Sequence, residues 1–188
     1  MSSQSHDDDG NIIGDKNGNF ADKDAQINFG FAIDNYINMY SQRAKDGINS
    51  FYTILGAGNW LKENSKKHQQ FDIKDVFGQR KGYLLNGKYV SGETAGNYLF
   101  GKNLESLREF STLTSFVTKR FFFTRAAEEF GHYNNTSNGT NIPEVAPYYG
   151  EIPYSGRAIT NGYYNNNPNN PVFTEYPQTS LYGNIKIK

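Results

Sequence analysis

The sequence contains no cysteine, no excess of either charge and no long hydrophobic run. Without cysteine, the chain cannot form disulfides, thiolate zinc sites or a cysteine nucleophile. Its 19 basic and 19 acidic residues cancel, so strong sequence-independent attraction to nucleic acid or anionic lipid is not expected. No segment approaches the ~20 apolar residues of a membrane span, and the start lacks the features of a signal peptide. We therefore expect no stable membrane insertion, and export, if it occurs, requires a specialised route or a larger parent protein.

Aromatic residues are abundant in a chain that is otherwise polar. The 188 residues include 14 Tyr and 14 Phe, whereas the mean hydropathy is −0.74. A chain of this length suits one domain, and the aromatic content predicts a core built from rings as much as from aliphatic side chains.

The two ends of the chain differ in composition from its middle. Residues 1–23 are rich in Asp, Asn and Gly and predict a flexible polar linker. A calcium-binding loop is disfavoured there, because Ile12 or Phe20 occupies the position where the EF-hand pattern requires Gly. Residues 166–188 form an Asn/Pro-rich tail with candidate edge strands at Val172-Phe173 and Ile185-Lys186-Ile187.

Residues 24–165 show the periodicity of helices. A first helix is predicted from Asp24 to Gly47, and a second begins near Ile48. The best apolar stripe runs over residues 108–131, which predicts the core helix of the fold. The following residues, 133–153, read as a long loop, and Ser155 is a candidate cap of a short last helix.

A hairpin interrupts this helical pattern. Asn86-Gly87 joins two short apolar runs and tolerates the positive φ of a type I′ turn. Ser91 is then a candidate N-cap for a helix through Leu104, with Glu93 in its first turn. The predicted fold class is mainly α (α+β): a helical domain with a small β-hairpin and long Asn/Gly/Pro-rich loops.

Three segments of the sequence contain residues that can take part in catalysis or ligand binding. Glu128, Glu129 and His132 share a helix face and can form an acid–base pair or two metal ligands, or simply a solvated helix end. The segment Phe71-Asp72-Ile73-Lys74 can place a carboxylate and a cation in one cleft, or form an exposed charged turn. The segment from Tyr148 to Arg157 suits a sugar-binding or base-stacking cleft, or a packing loop with an ion pair.

Four motifs occur in a characteristic order along residues 50–165. They are Phe71-Asp72-Ile73-Lys74, Gly96-Asn97-Tyr98-Leu99-Phe100-Gly101, Arg125-Ala126-Ala127 and Tyr149-Gly150-Glu151-Ile152-Pro153-Tyr154. This order resembles the bacterial polymorphic toxin type 44 family, which is found at the C-termini of Rhs and similar secreted proteins. The sequence departs from the family at Ile152, where a second acid is common, and at Ala95, where the family has Phe.

The resemblance implies a secreted antibacterial toxin that is delivered into the periplasm or cytoplasm of a target bacterium. Its implied partners are a cognate immunity protein and a secretion apparatus or parent Rhs-like protein. The candidate catalytic residues are Asp72, Lys74, Arg125, His132 and Glu151. The candidate substrate-binding residues are Asn97, Tyr149, Tyr154 and Arg157. We predict no metal and no cofactor.

Three functions remain open at this point. A hydrolase can use Asp72 and Glu151 on a glycan such as peptidoglycan, which neutral charge and abundant Tyr favour. An RNase can use His132 as general base, with Arg125 or Lys74 stabilising the transition state and Glu128 or Glu151 orienting the imidazole. A third reading is a binding module that recognises a sugar or a partner without chemistry.

Overall fold

A computed structural model describes residues 5–6, 12–13, 32–79, 81–86, 88–111, 119–143 and 153–164. Within them the helices are α1 (Asp34–Asn49), α2 (Ile54–Asn64), α3 (Ile73–Phe77), α4 (Gly92–Phe110), α5 (Lys119–Asn138) and α6 (Pro153–Tyr164). The strands are β1 (Ser5–His6), β2 (Ile12–Ile13), β3 (Gly82–Leu85) and β4 (Lys88–Ser91). The predicted fold class, mainly α with a small hairpin, is confirmed.

Helix α4 lies at the centre of the fold. It begins where predicted, because the Ser91 hydroxyl accepts a hydrogen bond from the Thr94 backbone N–H at 3.1 Å. It packs against all the other described helices, and against both strands of the hairpin. Eleven of its residues are buried, including Leu99, Asn103 and Leu104. A helix buried on most of its circumference must be central to the core.

Glycines bring α4 and α6 into direct backbone contact. A Cβ atom on Gly101 would lie 1.9 Å from the carbonyl oxygen of Ile159. A Cβ atom on Gly162 would lie 1.8 Å from the carbonyl oxygen of Tyr98. Since neither distance leaves room for a methyl group, the two helices can approach this closely only with glycine at both positions.

The hairpin forms as the turn chemistry predicts. Strands β3 and β4 pair antiparallel, with Leu85 opposite Lys88, and Asn86 has a φ of 51°. The first helix is anchored to this hairpin. The Ile33 backbone N–H donates to the Leu84 carbonyl at 2.9 Å, and the Asp34 carboxylate accepts from the Asn86 N–H at 2.8 Å.

The predicted helix bounds were wrong at several places. The predicted core helix over 108–131 is two helices, since α4 ends at Phe110 and Ser111 is extended. Helix α5 then continues past Gly131 to Asn138, into the segment predicted as a loop. The apolar residues keep a helical spacing on both sides of the point where α4 ends, so the sequence pattern does not show that the helix ends there.

The ends of the remaining helices also differ from the prediction. Helix α1 begins at Asp34 because Ile33 is held to the hairpin, and it ends at Asn49 rather than Gly47. Helix α2 begins at Ile54, where the Thr53 side chain caps it. Helix α6 begins at Pro153, so Ser155 lies inside the helix and is not its cap.

The segments outside the helical domain are described only in part. In the predicted linker, Ser5–His6 pairs antiparallel with Ile12–Ile13. The predicted helix start at Asp24 and both candidate edge strands of the tail lie outside the described residues. No helix in the described part of the chain is both long enough and apolar enough to span a bilayer.

Replacing Tyr83 with phenylalanine is expected to alter the alkaline stability of the domain. The Tyr83 hydroxyl donates to the Phe77 carbonyl, and burial raises the pKa of Tyr83 from 10.0 to about 12. The unfolded chain therefore loses this proton above pH 10, while the folded chain keeps it until about pH 12. The stabilising effect is complete below pH 10 and is lost as the pH rises to 12.

The measurement is thermal melting of the wild type and of Tyr83→Phe as the pH rises. The advantage of the wild type in Tm should shrink between pH 10 and 12. A difference in Tm that stays constant over this interval would contradict the assignment.

Candidate functional site

The candidate site is built on the turn that joins α2 to α3. The Phe71 backbone N–H donates to the Asn64 carbonyl at 3.0 Å, which folds the turn back onto the end of α2. The Phe71 ring is buried and lies edge-on to Trp60, with 5.6 Å between the ring centroids. This anchor fixes the position of the next residue, Asp72.

Asp72 has a buried carboxylate with one unpaired oxygen in the described part of the chain. The residue is 7% exposed, and its Oδ2 accepts a hydrogen bond from the His68 backbone N–H at 3.0 Å. Its Oδ1 is buried and has no hydrogen-bond partner within the described residues. Because an unpaired buried carboxylate oxygen is costly, its retention points to a functional role.

His68 completes an arrangement of three side chains around this turn. It has a φ of 65°, which is uncommon for a residue with a side chain. In this conformation its Nδ1 lies 2.5 Å from Oδ2 of Asp75 in α3. A carboxylate that holds one ring nitrogen orients the imidazole, so that the other nitrogen can accept or donate a proton.

The second recognised motif lies against the first. A Cβ atom on Gly96 would lie 3.0 Å from Cγ of Lys74, so the lysine stem passes over α4 at its glycine. The next residue on α4, Asn97, is half-buried. The packing of α3 on α4 therefore places Lys74 over Gly96, the neighbour of Asn97 in the chain.

Positive charge gathers beside the same turn. The ammonium groups of Lys62 and Lys66 lie 5.4 and 5.3 Å from the ring centroid of Tyr133 in α5. A hydrogen bond to Glu63 raises the pKa of Lys66. Tyr133 follows His132, which is exposed, so the second half of α5 lies close to the end of α2.

The other predicted site residues are described only in part. Arg157 is half-buried in α6. Arg125 and Tyr154 lie in α5 and α6, but the structure does not describe their side chains. Glu151 and Tyr149 lie outside the described residues, so the predicted approach of Asp72 to Glu151 stays a prediction.

Sequence reasoning missed His68 as a site residue. Its role depends on a backbone turn of positive φ that no local pattern predicts. The only available signal was the spacing of His68, Asp72 and Asp75, which is not distinctive by itself.

The described residues contain no group of three or more His, Asp or Glu side chains placed to hold a metal ion. Comparison with protein-family models gives no match. Comparisons with the curated proteins and with the solved structures give no match either.

Proposed function

We propose that this chain is a secreted antibacterial toxin domain that acts as a hydrolase through the carboxylate of Asp72. The observation that supports this best is the buried Asp72 carboxylate, with Oδ1 unpaired in the described structure and Oδ2 tied to the turn of His68. An oriented imidazole within the same turn adds a second group that can move a proton.

The preferred substrate is a glycan of the cell wall. Glycan hydrolysis needs two carboxyl groups, one that protonates the leaving oxygen and one that activates water or attacks the sugar. In this proposal Asp72 is the base or nucleophile, and Glu151 is the acid. The pair of Lys74 and Asn97 lines the approach to Asp72 and binds sugar hydroxyl and amide groups.

An RNase is the second candidate, and the arrangement around His68 favours it. His68 with Asp75 has the geometry of a general base and its orienting carboxylate. Lys62 and Lys66 lie six and two residues before His68 in the chain and supply positive charge that can hold a phosphate. In this alternative, His68 takes the role that the sequence assigned to His132.

Expression in two compartments separates these functions. The domain is produced in a bacterium without a leader, and separately with a periplasmic leader, and viable counts are measured. We expect toxicity only from the periplasm if the substrate is the cell wall. Toxicity only from the cytoplasm would favour the RNase, and growth in both cases would support a binding module and contradict a hydrolase.

A further inference from the structure

Asn103 is a buried polar residue, and no contact in the described structure explains why this position holds an amide. It lies in the middle of α4 and is 0% exposed, yet neither its Oδ1 nor its Nδ2 has a hydrogen-bond partner in the part of the chain that is described. Burying an amide without a hydrogen-bond partner costs free energy of folding. A leucine would fill a similar volume without that cost, so the amide calls for a functional explanation.

The packing of the site turn on α4 brings Asn103 towards Asp72. Asn103 lies seven residues after Gly96, which places both on the same face of the helix. Ile73 and Lys74 reach Gly96, whereas Phe71 is buried in the cluster that contains Leu104 and Leu107. The segment from Phe71 to Lys74 therefore runs along this face of α4. Asp72 lies between its contact with Gly96 at one end and its contact with the Leu104 and Leu107 cluster at the other.

Asp72 and Asn103 each have buried polar atoms that are unpaired in the described structure. Asp72 offers an acceptor, Oδ1, and Asn103 offers both a donor and an acceptor. The charged or titratable residues near Asp72 in the chain are Lys74 and Asp75 of α3 and Lys66, Lys67 and His68 of the turn. The face of α4 that packs against the turn carries Gly96, Leu99 and Asn103, none of which is charged. The Asn103 amide is therefore the group on α4 that is suited to hold the carboxylate.

We propose that Asn103 is a positioning residue for Asp72, and that its amide N–H holds Oδ1 of the carboxylate through one bridging water. This inference rests on the proposed function, since it explains how the working carboxylate is kept in one orientation. With Oδ1 held from inside and Oδ2 by the His68 N–H, the carboxylate has a fixed rotamer. Without the contact to Asn103, the Asp72 carboxylate can rotate. The hydrogen bond from the His68 N–H to Oδ2 then becomes weaker.

Hydrogen exchange at the His68 amide tests this coupling. The full chain, wild type and Asn103→Leu, is labelled with ¹⁵N and exchanged into deuterated buffer at fixed pH and temperature. We expect His68 to exchange about tenfold faster in Asn103→Leu, equivalent to about 1.4 kcal/mol for a weakened hydrogen bond to a charged group. The Phe71 amide, which donates to the Asn64 carbonyl in the same turn, should keep its protection.

Three further variants make the result specific. Asn161→Leu removes another buried amide, whose Oδ1 is also unpaired in the described structure, but it lies on α6 and should leave His68 exchange unchanged. Asn103→Ser keeps a hydrogen-bond donor and should restore much of the His68 protection. In an Asp72→Ala background the carboxylate is absent, so Asn103→Leu should have no further effect on His68.

Two results of the exchange experiment would overturn the proposal. Exchange at His68 within twofold of the wild type in Asn103→Leu would overturn it. Faster exchange in all helices would overturn it as well, because it would make Asn103 a structural residue. Growth assays on Asp72 variants test the proposed function separately, so loss of the hydrolase proposal and loss of the coupling are distinguishable.

Discussion

Replacing Gly101 with alanine is expected to destabilise the domain by about 3 kcal/mol, at the upper end of the usual cost of overpacking. The new Cβ would lie 1.9 Å from the Ile159 carbonyl oxygen and 2.7 Å from the Tyr163 backbone nitrogen. Both are backbone atoms that cannot rotate away, so α4 and α6 must separate. For a chain of this size the expected fall in Tm is about 10 °C, measured by thermal melting.

Gly58→Ala is the matched control for this prediction. It also lies inside a helix, α2, but its Cβ would meet only Leu107 Cδ2, at an ordinary contact distance of 3.7 Å. Because alanine favours a helix over glycine by up to ~1 kcal/mol, Gly58→Ala should raise the Tm by a few degrees. Equal effects of the two substitutions would contradict the close crossing of α4 and α6.

Replacing Asp72 with asparagine is expected to abolish toxicity while the fold is kept. The amide is nearly isosteric and its oxygen can still accept the hydrogen bond from the His68 N–H. It cannot act as a base or nucleophile, and loss of such a group typically lowers rates by 10²–10⁴-fold or more. The measurement is viable counts after induced expression, in the compartment where the wild type is toxic, with melting curves of the purified variants.

Asp46→Asn is the control for Asp72→Asn. The Asp46 carboxylate is exposed on α1 and accepts a hydrogen bond from Gln42, far along the chain from the site. We expect this variant to remain fully toxic. Full toxicity of folded Asp72→Asn would remove Asp72 from the mechanism and leave His68 with Asp75 as the proton-transfer groups.

Local chemistry made part of this fold predictable from the sequence. The Asn86-Gly87 turn and the Ser91 cap depend on one or two residues each, and the structure contains the hairpin and the start of α4 as predicted. The end of α4 at Phe110 was not predictable, because the apolar repeat continues across it into α5. Only the packing of several helices decides where such a repeat is broken.

The same distinction applies to the candidate site. Asp72 and Lys74 were predicted because they stand in a recognisable motif. His68 and Asn103 were not, since one depends on a left-handed backbone conformation and the other on burial. In the sequence, Asn103 is simply a polar residue beside Leu104, and nothing marks it as more than a solvent-facing position.

Because α4 and α6 pack directly on each other, the domain can finish folding only after α6 has been synthesised. The ribosome releases α4 about fifty residues before Gly162, whose backbone occupies the space over Gly101. Until then, Tyr98 and Leu104 lack the partners that α6 supplies, so a nascent or prematurely terminated chain has an open core. A cell that makes this protein is therefore exposed to its folded form only after α6 has been translated.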